Sequence, residues 1–140
     1  MEKLIIMSIK TKYANQIFDK TKVYEYRRRS IGEKNLNKKI YIYSSEQEKA
    51  IVGYIIVDKI IEGPAKYVLE VTESIRKKDI INYFEGCNKC YALKIKEAVR
   101  FNRTINLKEI RKIQEKFVIP QYYRYINENE PIYKLLGEIS

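Results

Sequence analysis

Apolar residues in this chain stand mostly in short runs or in alternation with polar residues, and both patterns predict β-strands. Residues 22–29 alternate, with two tyrosines on one face and Glu25 and Arg27 on the other. The longest apolar run contains Gly53, which indicates a bulge or a close approach of another backbone segment. The predicted strands cover residues 4–9, 22–29, 40–43, 50–61 and 90–100, and residues 101–105 would extend the last one.

Four segments have helical spacing instead, with apolar residues on one stripe. Pro64 suits the first turn of a helix, and Gly86 suits the end of one. Asn106 is a candidate N-cap for the last of the four helices, which is expected to end at Pro120. The predicted helices cover residues 10–20, 65–72, 78–84 and 107–117.

This order of elements is rich in strands and lacks the regular strand–helix alternation of a doubly wound fold. It predicts an α+β fold, built as a small mixed β-barrel, closed or nearly closed, with flanking helices. The chain has 140 residues without a linker or an internal repeat, so a single domain over residues 1–140 is expected. A chain of this length buries roughly two thirds of its unfolded surface, which is enough for a core without disulfides.

The chain has no histidine. This excludes Ser-His-Asp and Cys-His catalysis, His-ligated zinc sites and histidine-dependent metallohydrolases. Acid–base chemistry would have to come from Glu, Asp, Lys, Tyr or Cys side chains. Neither a metal nor an organic cofactor is expected.

The composition is strongly basic, with 28 Lys and Arg against 18 Asp and Glu, a net charge of +10. Clustered basic side chains release counterions when they bind phosphates, so a nucleic acid is a candidate partner. The alternative is a well-solvated basic surface, because abundant Lys, Ile, Asn and Tyr are typical of an AT-rich genome.

Two cysteines, Cys87 and Cys90, form a C-x-x-C pair. They supply only half of a tetrahedral zinc site, and residues 91–95 alternate like a strand rather than opening a redox-active helix. We expect two free thiols in a reducing compartment, with metal binding across a dimer as the alternative. The apolar run of residues 4–7 is too short for a signal peptide, and the pattern predicts a cytoplasmic protein without membrane spans.

Residues 8–29 hold the strongest candidate constellation. Glu25 and Lys22 lie along the same edge as Arg27, so the Glu25 carboxylate would hold the Arg27 guanidinium in a fixed geometry. A guanidinium held in this way can present its fork to a phosphate or to a base edge. The alternative is a structural salt bridge at the strand edge, with Arg28 and Arg29 as a solvated flank.

This segment resembles the ASCH domain, a member of the PUA-like superfamily. The resemblance rests on Ser8, Ile9, Lys10, Tyr13, Ala14, Ile17, Phe18, Lys22, Glu25 and Arg27. Residues 120–125, with the sequence Pro-Gln-Tyr-Tyr-Arg-Tyr, are similar to a segment that closes some members, and residues 91–95 are similar to a strand of the family. The chain departs from the family pattern at Asp19 and Lys20, where a Gly is usual, and at Tyr122, where a Ser is usual.

The resemblance implies a β-barrel with a cleft between the barrel and the first helix, and an RNA partner. A basic rim of the cleft and a base-contacting segment would then bind the nucleic acid, the aromatic side chains stacking on unpaired bases. The alternative for the base-contacting segment is packing over the barrel. Glu25 would orient Arg27 or accept a hydrogen bond from a base amino group, and Ser8 is a further ligand-binding candidate. The rim would contain Lys10, Lys22, Arg27, Arg28 and Arg29, and the base-contacting segment would contain Gln121, Tyr122 and Arg124.

The resemblance also implies two alternatives to a binding module. One is a small amidohydrolase or nuclease that acts on a modified nucleoside or on RNA, with Lys22 and Glu25 as catalytic candidates. Lys22 matches a catalytic lysine of the amidohydrolase branch, whereas Glu25 stands where that branch has a threonine, and Glu70 and Glu73 are carboxylate candidates by region only. The other is a regulatory module that senses a small ligand.

Overall fold

The computed structural model describes residues 2–139; Met1 and Ser140, the two ends of the predicted domain, lie outside the described residues. Across residues 2–139, no helix is long and apolar enough to cross a membrane. The described residues form strands β1 (Leu4–Lys10), β2 (Tyr24–Arg27), β3 (Lys39–Ser45), β4 (Ala50–Gly63), β5 (Cys90–Asn106) and β6 (Tyr123–Ile126), helices α1 (Thr11–Phe18), α2 (Ala65–Val71), α3 (Lys78–Tyr83), α4 (Leu107–Ile113) and α5 (Pro131–Ile139), and a 3₁₀ helix over Glu33–Asn35.

Hydrogen bonds arrange the six strands in the order β2-β5-β4-β3-β1-β6. β1 and β3 are parallel, whereas the β1–β6, β2–β5 and β3–β4 pairs are antiparallel. The predicted α+β class is therefore confirmed. Among the described residues the sheet ends at β2 and β6 without closing on itself, so the predicted barrel is not confirmed.

The described residues fall into two compact units that are interleaved along the chain. The first unit contains residues 2–22, 39–56 and 97–139, and the second contains residues 23–38 and 57–96. Each unit has its own cluster of buried apolar side chains. The first cluster includes Ile6, Tyr43, Ile51, Phe101, Ile110, Ile126 and Leu136, and the second includes Ile61, Val68, Leu69, Ile80, Phe84, Cys90 and Ala92.

Gly53 lies at a close backbone approach, as its position in an apolar run predicts. A Cβ atom at Gly53 would collide with the backbone carbonyl of Val99 on β5. The β3–β4 register also shifts between Ile42 and Tyr43, next to Gly53. Only a residue without a side chain fits at this point, so the glycine permits the strands of the first unit to come together.

The C-terminal part of the first unit confirms one prediction and corrects another. The Asn106 side chain accepts a hydrogen bond from the Glu109 N–H at 2.9 Å, so Asn106 is the N-cap of α4. The helix, however, ends at Ile113 and not at Pro120. Gln114 leaves the helical backbone, and its side chain donates to Glu130 and accepts from the Ile132 N–H. The partners in these two hydrogen bonds lie far from Gln114 in the sequence. The bonds form where the apolar stripe predicted that the helix would continue.

Candidate nucleic-acid interface

Glu25 and Arg27 form a close ion pair on β2, in the second unit. Strand alternation places both on the face opposite Tyr24 and Tyr26, which pack against the apolar cluster of that unit. Arg27 Nη2 lies 2.8 Å from Glu25 Oε2. Only 15% of the Arg27 side chain and 7% of the Glu25 side chain are exposed. The guanidinium is therefore held in one orientation by a carboxylate that water barely reaches.

Such a pair is better evidence for positioning than for stability. Taking two charges out of water costs several kcal/mol per ion, and their attraction repays that cost only when the geometry is good. Similar volumes of apolar side chain often replace a buried pair without loss. The notable property of the Glu25–Arg27 pair is therefore the fixed orientation of the guanidinium.

Arg28 and Arg29 follow the pair and are exposed. Arg28 Nη1 donates to the backbone carbonyl of Tyr83 at 3.1 Å and to that of Glu85 at 3.4 Å. These bonds fix the Arg28 side chain over the C-terminal end of α3. The three consecutive arginines therefore differ: Arg27 is partly buried against a carboxylate, Arg28 is exposed but hydrogen-bonded to the end of α3, and Arg29 is exposed.

Tyr83 joins this group, and sequence reasoning missed it. Burial has the largest effect on the pKa of the Tyr83 phenol and raises it. The charge of Arg27 lowers this pKa, and the charge of Glu25 raises it. A backbone hydrogen bond with Arg28 and the charge of Arg28 lower it further. The net pKa lies above the usual value of 10.0, so the hydroxyl is protonated at neutral pH. The signal in the sequence was weak, because Tyr83 only stands beside Phe84, which is buried in the unit's core.

Two lysine candidates lie in the first unit. Lys10 ends β1, and its ammonium lies 3.7 Å from Glu46 Oε1 with both side chains mostly exposed. Lys22 places its ammonium over the ring of Tyr13, 5.6 Å from the centroid. Exposed ion pairs of the Lys10 type are worth about 0–1 kcal/mol, so Lys10 can exchange Glu46 for another anion at little cost.

Ser8 is a buried contact between β1 and the segment of residues 120–122. Its hydroxyl donates to the Pro120 carbonyl at 2.7 Å, and its N–H donates to the Tyr122 carbonyl at 2.9 Å. Gln121, between these two, is exposed, and Tyr122 packs edge-on against Tyr123 at 5.0 Å. Ser8 thus has a structural role here, and its contact with a ligand stays a prediction.

Arg124 is a clamp within the C-terminal segment of the first unit. It donates to the carbonyls of Val118 and Tyr125 and to both carboxylate oxygens of Glu130, and its guanidinium lies 5.1 Å from the centre of the Phe117 ring. Burial alone would raise the pKa of Glu130, but hydrogen bonds to this carboxylate and the charge of Arg124 bring it below its usual value. These contacts hold Arg124 within residues 117–130, and base reading by Arg124 stays a prediction.

The predicted site residues thus lie in two sets. Ser8, Lys10, Lys22, Gln121, Tyr122 and Arg124 belong to the first unit, and Glu25, Arg27, Arg28 and Arg29 belong to the second. Within these sets the structure joins Ser8 to the backbone of Tyr122 and Glu25 to Arg27. The two carboxylates named by region, Glu70 and Glu73, are exposed at and after the end of α2.

Cys87 and Cys90 are free thiols in the second unit. Cys90 is buried at the start of β5, and its Sγ lies 3.6 Å from the Cys87 carbonyl. Burial, followed by the neighbouring Cys87 thiol, raises the pKa of Cys90 to about 11. Within residues 2–139, no three Cys, Asp or Glu side chains are grouped so that they could hold a metal ion.

Comparison with known proteins relates the sequence and fold of this chain to an ASCH protein of Zymomonas mobilis. No family model matches the sequence. A Zymomonas mobilis protein named ASCH domain-containing ribonuclease is 27% identical over 130 residues, which cover 89% of this chain and 85% of that protein. The crystal structure of ASCH from Zymomonas mobilis superposes with a TM-score of 0.83 at 24% identity, covering 97% of this chain and 95% of the other.

More distant folds also align. The N-terminal domain of Staphylothermus marinus McrB has a TM-score of 0.57 at 11% identity, with 100% and 99% of the two chains covered. The six-stranded α+β fold is therefore that of the Zymomonas mobilis ASCH structures. The chain is thus similar to an ASCH domain protein in sequence and to ASCH structures in fold, in agreement with the resemblance of residues 8–29.

Proposed function

We propose that this chain is an ASCH domain protein that binds RNA. The observation that carries the proposal is the Glu25–Arg27 ion pair, which orients a guanidinium immediately before two exposed arginines. An oriented fork can bind a phosphate or a base edge in two-point geometry, and the flanking Arg28 and Arg29 add phosphate contacts. The name of the Zymomonas mobilis relative supports RNA as the nucleic acid.

The other predicted residues complete this proposal. Lys10 and Lys22 would add positive charge at a cleft beside α1, where phosphates pass. Gln121 and Tyr122 would contact an unpaired base, Gln121 by hydrogen bonding and Tyr122 by stacking. Ser8 and Arg124 would hold the segment that carries these two residues in place.

Fluorescence anisotropy with single-stranded RNA, hairpin RNA and duplex DNA at two salt concentrations tests the proposal. We expect the double variant Arg27→Ala with Arg28→Ala to weaken RNA binding at least 10-fold. The slope of log K against log salt concentration should also fall by the amount expected for the loss of about two phosphate contacts. The control variant is Arg103→Ala with Arg111→Ala, which removes the same charge in the first unit. The proposal is wrong if no RNA binds at low salt, or if both variants lose affinity equally.

A second candidate function, RNA cleavage, is favoured by the name of the sequence relative. In this reaction the ribose 2′-oxygen attacks the adjacent phosphorus, the bond from phosphorus to the 5′-oxygen breaks, a cyclic phosphate forms, and the 5′-oxygen takes a proton from water. Glu25 would accept the 2′-hydroxyl proton, and Arg27 would stabilise the charge on the phosphoryl oxygens. Lys22, in the first unit, is the other catalytic candidate.

End-labelled RNA, incubated with wild type, Glu25→Gln and Lys22→Ala, tests this second function. We expect Glu25→Gln to lower the cleavage rate at saturating RNA at least 100-fold, a larger effect than its effect on RNA affinity. Equal cleavage by all three preparations would assign the activity to a contaminant. Turnover of N-acetylated cytidine in the same preparations tests the amidohydrolase alternative, and equal rates with and without Lys22 would exclude it.

A further inference from the structure

We propose that Cys87 and Cys90 are a redox modification site, at which a peroxide converts the two thiols to an intramolecular disulfide that thiol reductants reopen. The site lies in the second unit, in the turn between α3 and β5, and the proposed RNA binding does not use it. The chain has no third cysteine, so a disulfide within one molecule can join only these two residues.

The side chains of the two cysteines converge on the turn between them. The Cys87 thiol donates to the Lys89 carbonyl at 3.0 Å, and the Cys90 thiol donates to the Cys87 carbonyl at 3.6 Å. Both sulfurs therefore lie over the backbone of the same four-residue turn, within hydrogen-bonding reach of each other. A disulfide requires this convergence, because cysteines whose side chains point apart cannot be bridged without movement of the backbone.

The surroundings of the two thiols give them different roles. Cys90 is buried with Phe84 in the apolar cluster of the second unit, whereas Cys87 is half-buried at the margin of that cluster. Burial, followed by the hydrogen bond with Cys87, raises the pKa of Cys90 to about 11, so this sulfur keeps its proton. An oxidant dissolved in water therefore meets Cys87 first, and the Cys90 thiol lies beside it as the resolving group.

The oxidation takes two steps, written here for hydrogen peroxide. The Cys87 sulfur loses its proton and attacks one peroxide oxygen, the O–O bond breaks, and a sulfenic acid forms while the other oxygen leaves as water. The Cys90 sulfur then attacks the Cys87 sulfur, the S–O bond breaks, and the hydroxyl leaves with the Cys90 proton as water. In total the two thiols lose two electrons and two protons, and the peroxide is reduced to two water molecules.

The disulfide would close a short ring between α3 and β5. The Cys87 N–H donates to the Phe84 carbonyl at 2.9 Å, so the turn follows directly from the end of α3. Cys90 precedes Tyr91, which pairs with Arg27 across β5 and β2. Disulfides in a reducing compartment are mostly transient and redox-sensing, and a half-buried thiol beside a buried one in a surface turn suits that use.

The experiment treats the reduced, folded chain with hydrogen peroxide at neutral pH and counts the thiols by intact mass, after unfolding and alkylation with iodoacetamide. We expect both cysteines to be alkylated before oxidation and neither after it. The oxidised monomer should have lost two hydrogen atoms, and dithiothreitol should restore both adducts. Oxidation of methionine adds an oxygen atom instead, so the mass distinguishes it. Circular dichroism checks that the oxidised chain is folded.

Single variants test the separate roles of the two sulfurs. Cys87→Ser should form neither a disulfide nor a sulfenic acid, because the accessible sulfur is gone. Cys90→Ala, the matched control, should stop at the sulfenic acid, which dimedone traps. We expect the dimedone adduct of Cys90→Ala to exceed that of wild type about 10-fold or more, because no neighbouring thiol competes for the sulfenic acid. Thermal unfolding checks each variant, and Cys90→Val replaces Cys90→Ala if the latter is unfolded.

The outcomes decide the proposal without reference to RNA. A reversible disulfide in the folded monomer, together with dimedone trapping at Cys87 in Cys90→Ala, supports the site. Thiols that resist peroxide, disulfides that form only between molecules, or disulfides that form only in urea would overturn it. Equal dimedone labelling of wild type and Cys90→Ala would also overturn it, because Cys90 would then not be the resolving thiol. A chain that binds no RNA leaves this inference standing.

Discussion

Replacing Arg27 alone should destabilise the protein far more than replacing Arg27 and Glu25 together. The carboxylate of Glu25 is almost fully buried and meets the guanidinium at 2.8 Å. Without that guanidinium a charge remains in a poorly solvated position, which typically costs about 3–5 kcal/mol. For a chain of this size the loss corresponds to a fall of about 10–15 °C in Tm.

The double variant Glu25→Leu with Arg27→Met removes both charges and keeps most of the volume. Because both desolvation costs disappear with the charges, most of the lost stability should return. The control is Lys89→Ala in the same unit, where Lys89 lies 3.0 Å from Glu62 but both side chains are mostly exposed. That variant should leave Tm unchanged, since solvent screens such pairs.

Urea unfolding at pH 7, followed by circular dichroism, measures all four proteins. The reasoning predicts a large loss for Arg27→Met, a small one for the double variant and none for Lys89→Ala. If the single and double variants lose the same free energy of unfolding, the buried charge of Glu25 is not the cause. If the single variant loses less than 1 kcal/mol, water reaches the pair in solution.

Three further outcomes are expected. At pH 8, iodoacetamide should alkylate Cys87 but spare Cys90, whose pKa of about 11 keeps it a thiol, and intact mass should show a second adduct only on unfolding. In urea unfolding, Gly53→Ala should lower the free energy of unfolding by about 1–3 kcal/mol, because the new Cβ collides with a β5 carbonyl. Gly137→Ala on α5 should raise it by up to about 1 kcal/mol, because the space at its Cβ is open. The pKa of Glu130 lies below its usual 4.5, so the ionised Glu130 stabilises the folded state fully above that pH. This stabilisation is lost as the pH falls through the lowered pKa. The variant Glu130→Gln should therefore show a smaller fall of Tm with decreasing pH in the acid range.

The strands and most helices could be predicted because local pattern determines them. Continuous apolar runs became β1, β3 and β4, and the Asn106 cap follows from its own side chain. The end of α4 could not be predicted, because the hydrogen bonds that stop it come from Glu130 and Ile132. β6 was missed for the same reason, because this short, partly polar segment becomes a strand by pairing with β1.

The candidate site shows the same limit. Adjacent charges on one strand made the Glu25–Arg27 pair predictable, because strand alternation alone places them on one face. The contact of Arg28 with the end of α3 joins residues that are 55 positions apart, so no local sequence pattern predicts it. The side chain of Arg124 is held by Glu130 and Phe117, and the sequence does not show these contacts. Its positive charge alone therefore predicted a contact with nucleic acid.

The interleaving of the two units determines how this protein can be divided. The chain passes from one unit to the other after residues 22, 38, 56 and 96, and two of these passages fall inside the strands β4 and β5. Neither unit is a contiguous stretch of gene, so neither can be excised, expressed or shuffled between proteins as a cassette. Recombination or proteolytic trimming would have to preserve both together, and the second unit's arginines and Tyr83 can be inherited only with the whole chain.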